Sequence, residues 1–292
     1  AKCVARFAFF ASCVQDEEQE YFFPVHRKLC DFLQKNSERS PAPRHMVVMP
    51  RGSLKSTICT VLYPLWRALC DPSIRILMVM NTMPNAKSKL REIRGRIETD
   101  PTILGLFPDR IPNFRKTRWS DVQAELERPK CPFPEATWEA AGLRSTLTSR
   151  HYDMIIEDDT VAPGLEDLAV ETIMPSQEEI DQAIGWHRIA TPLMIDHTKG
   201  ERLVVGTRWA YQDLNRYVMD NEPEYKVFNV PAITNGVAIM PKLSEENLEG
   251  VKKSVGSYMF AALYMNSPMK PDDMIFQDSW WQEYKQPPEE VK

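Results

Sequence analysis

The chain has 292 residues, enough to bury a sizeable core and to hold one large domain with an appendage. Hydrophobic residues at 43% and charged residues at 26% are ordinary globular values that exclude wholesale disorder, and no apolar run approaches the roughly 20 residues needed to cross a bilayer. Thirty-six Lys and Arg against 41 Asp and Glu leave a net charge of −5, which excludes a polycation coating nucleic acid; any such contact must be local.

Residues 1–40 read as helical. The apolar stretch Phe7 to Val14 has no n-region or cleavage pattern and reads as core, not as a secretion signal. A polar stretch, Gln15 to Glu20, leads into the aromatic patch Tyr21, Phe22 and Phe23, and then into His26 to Leu33. Ser40-Pro41-Ala42-Pro43 ends the region, because a residue before proline is pushed out of the helical well. His45 to Met49 is a buried-strand pattern. It runs into Pro50-Arg51-Gly52-Ser53-Leu54-Lys55-Ser56-Thr57, after which Ile58, Leu62, Leu65 and Leu69 recur at helical spacing, with a kink expected at Pro64.

Arg75 to Met80 predicts a second strand and Asn85 to Glu98 an amphipathic helix, with Leu90, Ile93 and Ile97 on one face and Lys87, Arg91 and Arg94 opposite. That basic stripe is either a duplex-phosphate contact or a solvated face, the commoner case. Residues 100–135 show only loops and an edge hairpin. Tyr152 to Ile156 predicts a third strand, ending in Glu157-Asp158-Asp159, and Leu203 to Thr207 a fourth, ending in Gly206-Thr207-Arg208-Trp209; Val227 to Val230 adds a fifth. Short apolar strands alternating with helices predict an α/β fold with a parallel sheet covered on both faces. From Pro268 the chain turns polar and proline-rich around Trp280 and Trp281, as a linker would. The six cysteines form no CxxC pair and five scattered histidines form no metal cluster, so the cysteines read as reduced, buried thiols.

The first glycine-bearing loop matters chemically. A phosphate loop, GxxxxGK[ST], needs small residues so that backbone N–H groups can turn in on phosphate oxygens, a lysine for the outer phosphates and a hydroxyl for magnesium. Lys55-Ser56 stands in place, but Met49 and Leu54 occupy both consensus glycine positions, leaving Gly52. The loop alone is as well explained by turn chemistry; a buried strand before it and a helix after it favour phosphate binding. Its required partner is an acid at a neighbouring strand end, with a second acid to activate water. The Glu157-Asp158-Asp159 end supplies one, and the two segments together read as an ATPase site.

These segments, with Val205-Gly206-Thr207-Arg208-Trp209 and Asp213-Leu214, resemble the large terminase subunit of tailed bacteriophages over about Phe22 to Trp281. The resemblance implies an additional-strand (ASCE) P-loop NTPase fold, with residues 1–44 as an N-terminal helical, adenine-side segment. It implies a motor core at 45–267 and a linker at 268–292 toward a nuclease domain beyond this chain. It further implies that Gly52, Ser53, Leu54, Lys55, Ser56 and Thr57 bind ATP, that Ser56 and Asp158 hold Mg2+, and that Arg51 senses phosphate. Asp159 takes the place of the catalytic carboxylate, with Glu157 the competing choice, and Thr207 transmits hydrolysis from the coupling motif. Tyr21, Phe22 and His26 would lie on the adenine side, and Arg144 or Arg150 could act on a neighbouring subunit's nucleotide in a ring. The implied partners are double-stranded viral DNA, the portal protein, the small terminase subunit and other copies of the chain, in the host-cell cytoplasm with no membrane. Two other readings stay open: a helicase-like P-loop ATPase, and a non-catalytic assembly protein with a decayed loop.

Overall fold

The computed structural model describes residues 2–14, 22–128, 133–146, 150–163 and 174–269. Gln15 to Tyr21, Cys131, Trp280 and Trp281 lie outside the described residues. In chain order the main elements are α1 (Lys2–Ala5), α2 (Phe7–Val14), α3 (Pro24–Arg39), β1 (Arg44–Val48), a π-turn (Thr57–Leu62), α4 (Tyr63–Cys70), β2 (Ile76–Met80), α5 (Met83–Thr99) and α6 (Pro101–Leu106). They continue with β3 (Gln123–Ala124), β4 (Trp138–Gly142), β5 (Met154–Asp158), α7 (Gln177–Ile189), β6 (Glu201–Gly206), α8 (Leu214–Asn221), β7 (Lys226–Asn229), β8 (Ile233–Thr234), β9 (Val237–Ala238) and α9 (Glu245–Leu263).

Seven strands form one sheet in the order β3-β4-β2-β5-β6-β1-β7, in which every pairing is parallel except that of β3 with β4. The near-continuous apolar runs follow from this, because a parallel strand covered on both faces has no solvent side to mark with polar residues. Alternate residues divide between two cores. Val47, Met78, Ile156 and Val205 face the π-turn, α4 and α5 through Ile58, Leu62, Leu65 and Leu90. Val48 and Val204 meet Ala183, Trp209, Leu214 and Val218 on the other face, and Leu77, Val79 and Ile155 meet Trp186 there. The sheet is thus packed between two helical layers.

The four strands expected from apolar runs around His45, Arg75, Tyr152 and Leu203 are present to within a residue or two, as is the edge strand near Val227. Three features differ from the sequence reading. The stretch 100–135 contains α6 and a 3-10 turn (Pro108–Arg110) besides the expected edge hairpin, in which Trp119 bridges Ala124 of β3. β4, Trp-Glu-Ala-Ala-Gly, is a fully buried strand that poor strand formers hide; its place between β2 and β3 makes it one. Pro64 does not bend a uniform α-helix: the chain runs as a π-turn to Leu62, the Tyr63 N–H bonds to the Ile58 carbonyl, and Pro64 falls in the first turn of α4. The wider π-turn before it makes room for the proline ring, whose missing N–H leaves one bond to the preceding turn unmade.

The basic stripe on α5 is largely committed within the fold. Arg94 pairs with Asp121 at 2.9 Å, Arg91 approaches the same carboxylate at 3.9 Å, and Lys89 and Arg96 both pair with Glu92. Two cysteines also depart from expectation: Cys3, Cys30 and Cys59 are buried, whereas Cys13 and Cys70 are exposed. Among the described residues no helix is long and apolar enough to cross a membrane.

Candidate nucleotide site at the strand ends

β1 delivers the chain to the loop at its C-terminal end, and the loop turns directly into the helical layer. Two residues adopt left-handed backbone: Gly52 at φ 75° and Leu54 at φ 62°. Glycine reaches that region freely, but a leucine there carries strain of about 1 kcal/mol. The loop therefore keeps a phosphate-loop turn at the consensus glycine position although leucine has replaced the glycine. Lys55 begins the helical turn, so its first N–H groups lack intrahelical acceptors, as an anion-binding helix start requires.

β5 ends at the same sheet edge, two strands away. Ser56 Oγ donates to Asp158 Oδ1 at 3.1 Å, and Thr60 Oγ1 donates to Asp158 Oδ2 at 2.8 Å. Lys55 Nζ donates to Asp159 Oδ2 at 3.1 Å. Asp159 itself sits at φ 44°, a region Asp tolerates better than most residues, and its other oxygen accepts the Thr207 N–H at 3.2 Å. Asp158 is completely buried. Burial first, and the neighbouring Asp159 second, push its carboxyl up to about 6, against the pull of Lys55 and the two hydroxyls.

The donor set at Asp158 suits Mg2+. A buried carboxylate, flanked by a second carboxylate and answered only by neutral hydroxyls and one lysine, is a hard-oxygen site short of positive charge. Ser53 Oγ is buried in the loop with no partner among the described residues, as expected of a group that binds an incoming ligand.

Supporting contacts fix the loop from outside. His26 is fully buried; its Nδ1 accepts the Phe23 N–H at 3.1 Å, so its Nε2 carries the proton and donates to the Ser53 carbonyl at 2.9 Å. The rings of Phe22 and Phe23 lie 6.0 and 5.8 Å from His26. The N-terminal aromatic patch thus touches the loop through His26; Tyr21 lies outside the described residues.

The coupling segment follows β6, which lies between β1 and β5. The Thr207 hydroxyl points to the Met49 carbonyl at 3.5 Å, and Asn215 Nδ2 donates to the Thr207 carbonyl at 3.2 Å. Gly206 is required by that close approach, since a β-carbon there would meet the Asn215 side chain at 3.0 Å. Asp213 accepts the Trp209 N–H and the Arg208 guanidinium, both at 3.0 Å, and caps α8 through the Arg216 N–H. The buried Arg208–Asp213 pair holds Trp209 in place, and the Arg51 guanidinium stacks over the Trp209 ring, 4.9 Å from its centre.

Three predicted residues stand apart from this cluster. Glu157 lies on the opposite face of β5, fully buried, bonded to His187 Nδ1 at 2.9 Å and to Arg202 at 2.7 Å. Arg150 pairs with Glu139 near the N-terminal ends of the strands, the far edge of the sheet from the loop. Arg144 is exposed just past β4, on the loop's edge but two strands beyond β5. Thr60, Arg208 and His187 were missed from sequence. Thr60 had a signal: it stands four residues after Ser56, one helical turn along the same face.

Loop, acidic strand and the extra strand between them define a P-loop NTPase fold. Among solved structures, the chain is similar to the large terminase of bacteriophage HK97, with a TM-score of 0.58 at 13% identity, covering 91% of this chain and 55% of that one. It is also similar to a mutant of the large terminase ATPase domain of Thermus phage P74-26, with a TM-score of 0.52 at 14% identity, covering 79% of this chain and 91% of that domain. Its architecture is that of phage large-terminase ATPase domains. No protein-family model and no curated protein matches the chain by sequence.

Proposed function

We propose that the chain is an ATP-hydrolysing motor domain of a viral terminase large subunit, with residues 45–267 as its core, that moves double-stranded DNA into a prohead. The observation that carries this reading is the meeting of Lys55 and Ser56 with Asp159 and Asp158, each at 3.1 Å, from segments about a hundred residues apart. Lys55 would neutralise the outer phosphates, and the loop N–H groups would cradle them. Ser56 and Asp158 would hold Mg2+, which supplies charge neutralisation for the departing phosphate.

Asp159 is the favoured base, because it is one-third exposed at the mouth while Glu157 is sealed on the other face. In the ground state Lys55 and the Thr207 N–H hold its carboxylate; an incoming triphosphate competes for Lys55 and frees one oxygen to orient water. Thr207, bonded to Asp159 and near the Met49 carbonyl, is the natural reporter of that change to the coupling segment. Arg51, stacked on Trp209, links the loop to the same segment and would sense phosphate there. Arg144 remains the candidate to act on a neighbouring copy in a ring, by virtue of its exposure on the loop's edge. The portal protein, the small terminase subunit and a host-cytoplasmic setting belong to the same proposal.

Lys55→Ala and Asp158→Ala should each abolish ATP turnover while the far-ultraviolet circular dichroism stays native. Turnover equal to wild type in the purified Lys55 variant would remove the site assignment. The full-length wild-type protein should fill empty proheads with DNA and the same variants should not; failure of the wild type to fill them would favour the helicase-like alternative. Calorimetric titration with ATP and magnesium separates both from a decayed loop, which would bind nothing.

A further inference from the structure

The segment after β7 returns to the phosphate loop. The β8–β9 hairpin, a 3-10 turn (Pro241–Leu243) and α9 are knitted together by Ala232, Met240, Leu243 and Leu248, with Phe23, Phe260 and Tyr264 packed against them. Hydrogen bonds tie this C-terminal cap to the loop and its strand: the Arg51 N–H donates to the Leu263 carbonyl at 3.2 Å, and the Asn266 side-chain Nδ2 donates to the Val48 carbonyl at 3.2 Å.

At the cap's closest approach stands Lys242. A β-carbon added to Gly52 would lie 3.8 Å from Lys242 Nζ and 3.9 Å from its Cε, so the ammonium hangs over the loop at its bare glycine. Its surroundings are unusual. Lys55 has Asp159 and Arg51 has the Trp209 ring, but Lys242 has no carboxylate within ion-pair distance among the described residues, and only its backbone carbonyl is engaged, by Asn247. Of the three cations at this short loop, Lys55 alone has an ion-pair carboxylate among the described residues. A cation held near others without an anion is electrostatically unfavourable, and the cap's apolar contacts with Phe23 and Tyr264 set its position.

We propose that Lys242 is a second phosphate-binding lysine, delivered by the C-terminal cap across Gly52 onto the outer phosphates of a nucleoside triphosphate. The inference rests on the ATPase reading and deepens it: loop and cap would grip the same polyphosphate from two sides. Because the cap's lysine adds charge where the terminal phosphate sits, it favours the triphosphate over the diphosphate. Loss of that phosphate on hydrolysis removes the anion that ties cap to loop, giving the cap a reason to move at that step.

The test is titration of the purified chain with fluorescent analogues of ATP and ADP, comparing wild type with Lys242→Ala, Lys242→Arg and Lys55→Ala at low and moderate salt. Lys242→Ala should weaken the triphosphate about tenfold, the loss of one charge-assisted hydrogen bond, and weaken the diphosphate less. The preference for ATP over ADP should therefore shrink, Lys242→Arg should restore it, and the salt dependence of ATP binding should flatten in the alanine variant. Thermal unfolding should not change, because the side chain is exposed. If Lys55→Ala loses nucleotide while Lys242→Ala keeps the wild-type ATP-to-ADP ratio, the Lys242 proposal fails and the ATPase reading stands. If wild type binds neither nucleotide, both fall.

Discussion

Two adjacent carboxylates on β5 have opposite fates. Glu157 turns to the layer formed by α7, where His187 and Arg202 hold it down at about 2 in spite of complete burial. Asp158 turns to the phosphate-loop layer, where burial and Asp159 raise it to about 6. One is fully matched by cations and the other is left short of them. Strand alternation alone separates them, since neighbours on a strand face opposite sides of the sheet. The difference distinguishes a carboxylate that holds layers together from one prepared to receive a cation.

The sharpest way to break that comparison is Glu157→Gln. Removing the charge leaves the buried Arg202 without its carboxylate and His187 with Glu222 alone, which should cost about 4 kcal/mol of stability by denaturant unfolding. ATP turnover per folded molecule should stay at the wild-type level, whereas Asp159→Asn should abolish turnover and leave stability nearly unchanged. The reverse pattern would exchange their roles.

A pH titration sharpens the same contrast. His187 has a carboxylate on each ring nitrogen, Glu157 at 2.9 Å and Glu222 at 3.0 Å, opposed by Arg202, with Tyr217 and Tyr225 packed against the ring. Burial would lower its pKa, but Glu157 and then Glu222 carry it up to about 9. A raised folded-state pKa means stabilisation that is complete below the unfolded value, near 6.5, and is lost as pH climbs through 9. The shift corresponds to a loss on the order of 3 kcal/mol. Unfolding midpoints should fall across that window in wild type and much less in Glu157→Gln; a flat wild-type profile would show that His187 is neutral throughout.

The smallest effect concerns Leu54. Leu54→Gly relieves left-handed strain of about 1 kcal/mol, partly offset by the looser unfolded chain, and should raise the midpoint by about 2 °C. A fall would mean that the leucine side chain contributes more by packing than its backbone costs.

Much of the architecture was legible because buried parallel strands advertise themselves: His45 to Met49, Tyr152 to Ile156 and Leu203 to Thr207 are unbroken apolar runs that end in chemistry-bearing residues. β4 was not, because Ala140, Ala141 and Gly142 owe their strand geometry to neighbours on both sides rather than to propensity. α7 escaped for a related reason: its buried residues Ile180, Ala183, Trp186 and His187 mix apolar and titratable groups, and the polar member is the partner of a strand 30 residues earlier. At the site, the lysine, the hydroxyl and the acids could be read from local pattern. That the Glu157 side chain turns away from them follows from sheet alternation once β5 is placed. Lys242 could not be read at all, since its relevance comes from a cap folding back over some 190 residues.

β6 holds one more lesson. Interposed between β1 and β5, it sets the loop and the acidic tip apart by two inter-strand spacings, about 10 Å. That span is gauged by the ladder of peptide groups and owes nothing to the identity of any side chain. The stem of Lys55 and the hydroxyls of Ser56 and Thr60 all meet the acidic tip across it, so the working tolerance of the centre resides in main-chain carpentry. A loop can then forfeit its customary glycines, as at Met49 and Leu54, and still present its ammonium to the right carboxylate, which is how a shape survives in a sequence whose signature has worn thin.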